Sequence, residues 1–177
     1  MRILLIIIIG IVLFSGCKPR TKHDNEIPEN GVVKRKVTLR AYPGKELEVE
    51  NEYRNKQLVR NQVYYPNGKT MNRYVLIDSA AWKWEMDAYY ESGAMRSRSI
   101  ASTDSFRKET DWYDNGQVQT DFTRRGGNKD SVVHYFRNGV KKEIAEFLDN
   151  KRNGRWQEWD SLGHQTRNEV YRNGKLQ

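Results

Sequence analysis

The chain has 177 residues, a single cysteine, 31% charged residues and a formal net charge of +8 at pH 7. One cysteine excludes an intramolecular disulfide, so the fold must be held by its core. The charges are spread along the chain with no run of five like residues, which excludes a basic tail.

The first element in chain order is apolar. Arg2 precedes a 12-residue run, Ile3 to Phe14, interrupted only by Gly10 and followed by Ser15, Gly16 and Cys17. Crossing a bilayer takes about 20 apolar residues, so a short run ending in small residues predicts a signal peptide over residues 1–16. The segment "LFSGC" resembles a bacterial lipobox, with Phe14 where a leucine is usual. That resemblance implies cleavage before Cys17 and diacylation of its sulfur. Residues 17–36 then read as the lipidated cysteine and a flexible tether, with Pro19, Pro28, Gly31 and many charges but no apolar period. An exported chain has no nucleic acid to meet. A basic average suits an anionic membrane surface, reached here through the lipid anchor. "KPRTK" after Cys17 has no acidic patch and no Asp beside the cysteine. The expected location is the bacterial cell envelope, at the outer membrane facing the periplasm.

From Val37 to the end, one phrase recurs. Its glycines are Gly44, Gly68, Gly93, Gly116, Gly139 and Gly163, at steps of 24, 25, 23, 23 and 24. A period of this length decides the fold before any local reading. Four residues ahead of the last five glycines stand Tyr64, Tyr89, Trp112, Tyr135 and Trp159. The next positions are Tyr65, Tyr90, Tyr113, Phe136 and Asp160. A second turn signal follows several anchors by about half a unit: Asn55-Lys56, Gly126-Gly127, Asp149-Asn150, Asn153-Gly154 and Asn173-Gly174. Asn-Gly between strand-forming residues favours a two-residue hairpin in which both turn residues take positive φ. Tyr, Trp, Phe and Val suit a half-buried pleated surface. The expected fold is all-β: an elongated antiparallel β-meander of about six hairpin repeats, each of 23–25 residues. A lone hairpin cannot bury its own apolar face, and stacked neighbours can.

The phrases "YYPNGK", "WYDNGQ", "YFRNGV" and "EVYRNGKLQ", with "RNGRWQEW" between units, resemble the bacterial variant of the MORN repeat across residues 37–177. The first unit lacks the aromatic pair, and the second and third carry "DSAAW" and "STDSF" where the second turn signal belongs. The resemblance implies an elongated sheet serving as an interaction scaffold, without catalytic residues. Some bacterial relatives of this type are antitoxin-like, so an immunity factor against an envelope-acting toxin is the alternative.

Chemistry-bearing groups are sparse. His23 lies in the tether, and His134 and His164 fall in different units without a cysteine or a second histidine at ligand spacing. No metal, cofactor or enzymatic activity is expected. The candidate binding groups are aromatic. Neighbouring strand residues point to opposite faces, so each aromatic pair sends one ring to each face. Trp112 and Trp159 are the largest rings, and the second row ends in Asp160, which a buried row tolerates poorly. The first row is therefore expected inside. The second (Tyr65, Tyr90, Tyr113, Phe136) is expected to be more exposed and to bind a protein or a cell-envelope polymer.

Overall fold

The computed structural model describes residues 27–38, 43–102, 106–126 and 128–177. The signal peptide and residues 17–26 of the tether, with Cys17 and His23, lie outside the described residues. Among the described residues there are thirteen strands and no helix. The first six are β1 (Gly31–Thr38), β2 (Glu46–Arg54), β3 (Gln57–Tyr64), β4 (Thr70–Asp78), β5 (Lys83–Tyr89) and β6 (Met95–Ala101). Then come β7 (Arg107–Trp112), β8 (Val118–Arg125), β9 (Lys129–Tyr135) and β10 (Lys141–Leu148). The last are β11 (Lys151–Trp159), β12 (Gln165–Arg172) and β13 (Lys175–Leu176). Each strand pairs antiparallel with its neighbours in sequence, giving one open sheet in the order β1 to β13. This is the expected meander of hairpins. It starts earlier than expected: β1 takes in residues 31–36, assigned above to the tether. Val33 and Val37 lie on one face opposite Asn51 and Leu47, and Lys34 on the other bonds to Glu50 at 2.5 Å.

Successive turns alternate between two rims of the sheet, and the rims differ chemically. On the first, the phrase rim, the turn glycine is the only turn residue with positive φ: 81° at Gly68, 94° at Gly93, 83° at Gly116 and Gly139, and 90° at Gly163. Gly68 N–H donates to the Tyr65 carbonyl at 2.9 Å, and Tyr65 N–H donates to the Lys69 carbonyl at 2.7 Å. The same two bonds recur at Tyr90, Tyr113, Phe136 and Asp160. This is a type I turn closed by a left-handed glycine, a three-residue loop. The two-residue Asn-Gly turn expected for the phrase is therefore corrected. Pro66 makes the reason plain, because a two-residue turn over Asn67-Gly68 would need the N–H of residue 66 to pair with residue 69, and proline has none. On the opposite rim the shorter turn does occur, with positive φ at both residues of Asn55-Lys56, Asp149-Asn150 and Asn173-Gly174. Asn153-Gly154, read above as a turn signal, lies inside β11 at a register break against β10. Gly154 sits there at φ 114° with the Glu146 side chain where a Cβ would stand.

Each phrase-rim hairpin carries a register shift one residue from the turn: Val63/Tyr64, Ala88/Tyr89, Asp111/Trp112, Lys141/Glu143 and Glu158/Trp159. Such bulges add local twist. Across the sheet the pairing sorts residues into two faces. Val37, Leu47, Val63, Tyr65 and Met71 meet on one, where Leu47, Tyr65 and Met71 are buried. The other face carries Lys34, Glu50, Glu52, Arg60, Arg73, Asp87 and Arg98, joined in ion pairs. Burying a Leu or Met side chain contributes roughly 1.5–3 kcal/mol. The apolar cluster is small, so nearest-neighbour strand contacts carry much of the stability.

Candidate functional site

The two aromatic rows fall on opposite faces, as the strand period requires. Their burial departs from the expectation at Tyr65, while Tyr90, Tyr113 and Phe136 are half-buried like the first row. The second row lies on the face of Leu47 and Met71, and Tyr65 is only 6% exposed. Its hydroxyls climb the sheet unit by unit. Tyr65 donates to the Tyr89 carbonyl at 2.7 Å, Tyr90 to the Trp112 carbonyl at 2.7 Å, and Tyr113 to the Tyr135 carbonyl at 2.9 Å. Each acceptor belongs to the first-row residue of the next unit. Phe136 holds the same position without a hydroxyl, and Lys142 Nζ lies 5.7 Å from its ring centre. Arg137 likewise covers Tyr113, at 5.3 Å. Ring size and Asp160 suggested that this row faces water. What ties these tyrosines down is instead a carbonyl acceptor one unit away, reached by all three hydroxyls.

A parallel ladder runs through the turns. Asn67 Nδ2 donates to the Glu91 carbonyl at 3.2 Å, Asn115 to Arg137 at 3.0 Å, and Asn138 to Ser161 at 2.8 Å. Each amide oxygen accepts from the N–H two residues on, as Lys69 N–H does with Asn67 at 3.0 Å. The asparagine of the phrase thus closes its own turn and grips the next. Ser92 breaks the series, and there Lys69 Nζ reaches the Ser92 carbonyl at 2.6 Å. Both ladders explain why the phrase repeats.

The first row faces the other way and is half-buried throughout. Tyr64, Tyr89, Trp112, Tyr135 and Trp159 end β3, β5, β7, β9 and β11, all beside the phrase rim. Its tyrosines lie near carboxylates of the same face: Tyr89 donates to Asp87 Oδ2 at 3.3 Å, and Glu50 and Asp121 act on Tyr64 and Tyr135. Burial, aided by these carboxylates, pushes all three phenols above their usual range. Asp87 is fully buried between two guanidiniums. Arg98 binds both its oxygens, at 2.7 and 3.2 Å, and Arg73 binds from the other side. Burial pushes the Asp87 carboxyl up, but hydrogen bonds from Arg98 and Arg73 outweigh it and hold the group below the usual range. Lys34 holds Glu50 low in the same way.

The rims differ in charge. The opposite rim presents Arg54, Lys56, Arg125, Lys129, Lys151, Arg152, Arg172 and Lys175, all exposed, with Asp78 and Asp149 the exposed acids of its described turns. Trp82, 54% exposed, lies on that rim beside them. The phrase rim mixes signs, with Asp114 bonded to Arg137 and Asp160 to His164. The chain enters the sheet at the opposite rim, where Lys56 N–H donates to the Glu29 carbonyl at 2.8 Å and Asn55 N–H to Asn30 Oδ1 at 3.0 Å.

Among the described residues no group of three or more His, Cys, Asp or Glu is placed to hold a metal. His134 Nδ1 lies 3.1 Å from Thr120 Oγ1, and His164 Nδ1 lies 3.0 Å from Asp160 Oδ2. The chain matches no protein-family model and has no match among curated proteins.

Proposed function

We propose that this chain is a lipid-anchored, non-enzymatic scaffold of the bacterial cell envelope, built of MORN-variant repeats and binding a protein or an envelope polymer. The observation that carries the reading is the sorting of charge between the rims. The cationic rim is the one from which the chain leaves toward Cys17, and only ten positions separate Cys17 from Ile27. A lipid on Cys17 would hold that rim close to the bilayer. Lys and Arg next to anionic headgroups are each worth about 1 kcal/mol, and an exposed Trp such as Trp82 suits the interface. The phrase rim and the first-row rings would then face away from the membrane, open to a partner. The test labels cells with a fatty acid and compares wild type with Cys17→Ser. Label lost in the variant, with a partner retained by the wild-type protein in a pull-down from its own membranes, is the expected result. Label that persists in Cys17→Ser overturns the anchor, and a pull-down that retains neither protein nor polymer overturns the scaffold.

A further inference from the structure

We infer that the first-row face binds an uncharged, extended β-linked glycan, one chain laid across the strands; this deepens the scaffold reading above and rests on it. Three observations converge. The first is spacing. The rings stand on alternate strands, so one recurs about every 9.5 Å, twice the usual strand separation. That is the length scale of one disaccharide in an extended β-linked glycan, so alternate sugars meet successive rings. The second is ring posture. The Tyr89 hydroxyl is tied to Asp87 Oδ2 at 3.3 Å, and Glu50 and Asp121 stand by Tyr64 and Tyr135 on the same face. A ring held at its tip is pre-ordered and gives a platform for the apolar C–H face of a sugar, with little entropy left to lose. The third is charge. Beside Tyr64 and Tyr89 the carboxylates are matched by cations: Glu50 by Lys34, Glu52 by Arg60 and Asp87 by Arg73 and Arg98. Matched pairs offer donors and acceptors to hydroxyl groups and leave no net field to select an ionic partner.

Sheet twist adds a selection rule. Neighbouring strands turn by about 20–25°, so each ring is rotated by roughly twice that from the last. A single chain can follow by rotating at its glycosidic bonds, and a flat crystalline surface cannot. Calorimetric titration of the full chain in detergent micelles with a β-(1,4)-linked N-acetylglucosamine hexamer tests this. The expected result is saturable binding at least tenfold tighter than for the disaccharide. Trp112→Ala should weaken it tenfold or more, while Trp156→Phe, on the other face, leaves it unchanged. If Trp112→Ala melts below the assay temperature, Trp159→Ala reads the same row near the end of the sheet. Absence of binding, or hexamer binding indifferent to both tryptophan variants, overturns the glycan. A protein recovered from the membranes whose capture needs Trp112, with no hexamer binding, overturns it too and leaves the scaffold standing.

Discussion

Phe136→Tyr should stabilise the fold. Phe136 occupies the position from which Tyr65, Tyr90 and Tyr113 each donate to a carbonyl of the following unit at 2.7–2.9 Å. The matching acceptor for residue 136 is the Trp159 carbonyl. Its surroundings repeat the pattern, since the turn bonds at Phe136 and Asp160 are the same as those at Tyr113 and Phe136. A hydroxyl added there lands on a prepared acceptor, and one net hydrogen bond is worth about 0.5–1.5 kcal/mol. For a chain of this length that raises the melting temperature by roughly 2–4 °C per kcal/mol. Tyr90→Phe removes the equivalent bond to Trp112 and should cost a similar amount. Thermal melts and urea titrations of both variants against wild type give the comparison. A loss in Tyr90→Phe without any gain in Phe136→Tyr would show that the ladder stops before the fifth unit. No change in either would refute the claim that these hydroxyls hold the units together.

Asp87→Asn should destabilise the fold by about 2 kcal/mol in urea titration. Leaving a buried partner uncompensated costs about 3–5 kcal/mol, but here the guanidiniums of Arg73 and Arg98 are 36% and 43% exposed and stay hydrated. Acid titration should show the same linkage. The folded-state pKa of Asp87 is lowered from 3.8 and that of Glu146 from 4.5, so their stabilisation is complete above those unfolded values and fades as pH falls through the folded ones. Asp87→Asn should therefore flatten the acid limb of a stability–pH curve. At the alkaline end the sign reverses. Tyr64, Tyr89 and Tyr135 are raised above 10.0, so stability should decline as pH climbs past that value, as melting temperatures across pH 8 to 11 would register. Gly116→Ala meets no atom within 4 Å and should cost about 1 kcal/mol, for its backbone alone. Gly154→Ala would run into Glu146 and should cost clearly more in the same assay.

The meander was legible because the glycine phrase is both periodic and mechanistic: a positive-φ residue every two dozen positions leaves little room for any other element. The turn type was not. Asn-Gly in isolation suggests the two-residue turn, and Pro66 in one phrase was the signal against it. The burial of Tyr65 was missed for a similar reason. Ring size and the Asp160 break were weighed, whereas the hydroxyl acceptor lies 22 to 24 residues away and becomes visible only once the register is known. Arg73, Asp87 and Arg98 tell the intermediate case. Their pairing follows from two hairpins in register, Arg73↔Asp87 and Asp87↔Arg98, and hairpin arithmetic on the sequence reaches it once the turns are fixed.

Ladders that tie each unit only to the next have a consequence for how such a chain can change length. Excising residues 113–135 would join Trp112 to Phe136 and recreate an aromatic pair three residues ahead of a glycine. The rims would keep their identities, because two strands leave together. Gene duplication or loss in steps of one whole unit would thus preserve every register, while an insertion of a single strand would send each later turn to the wrong rim. Selection acting on reach can lengthen or shorten this molecule without redesigning it, so long as it counts in pairs of strands.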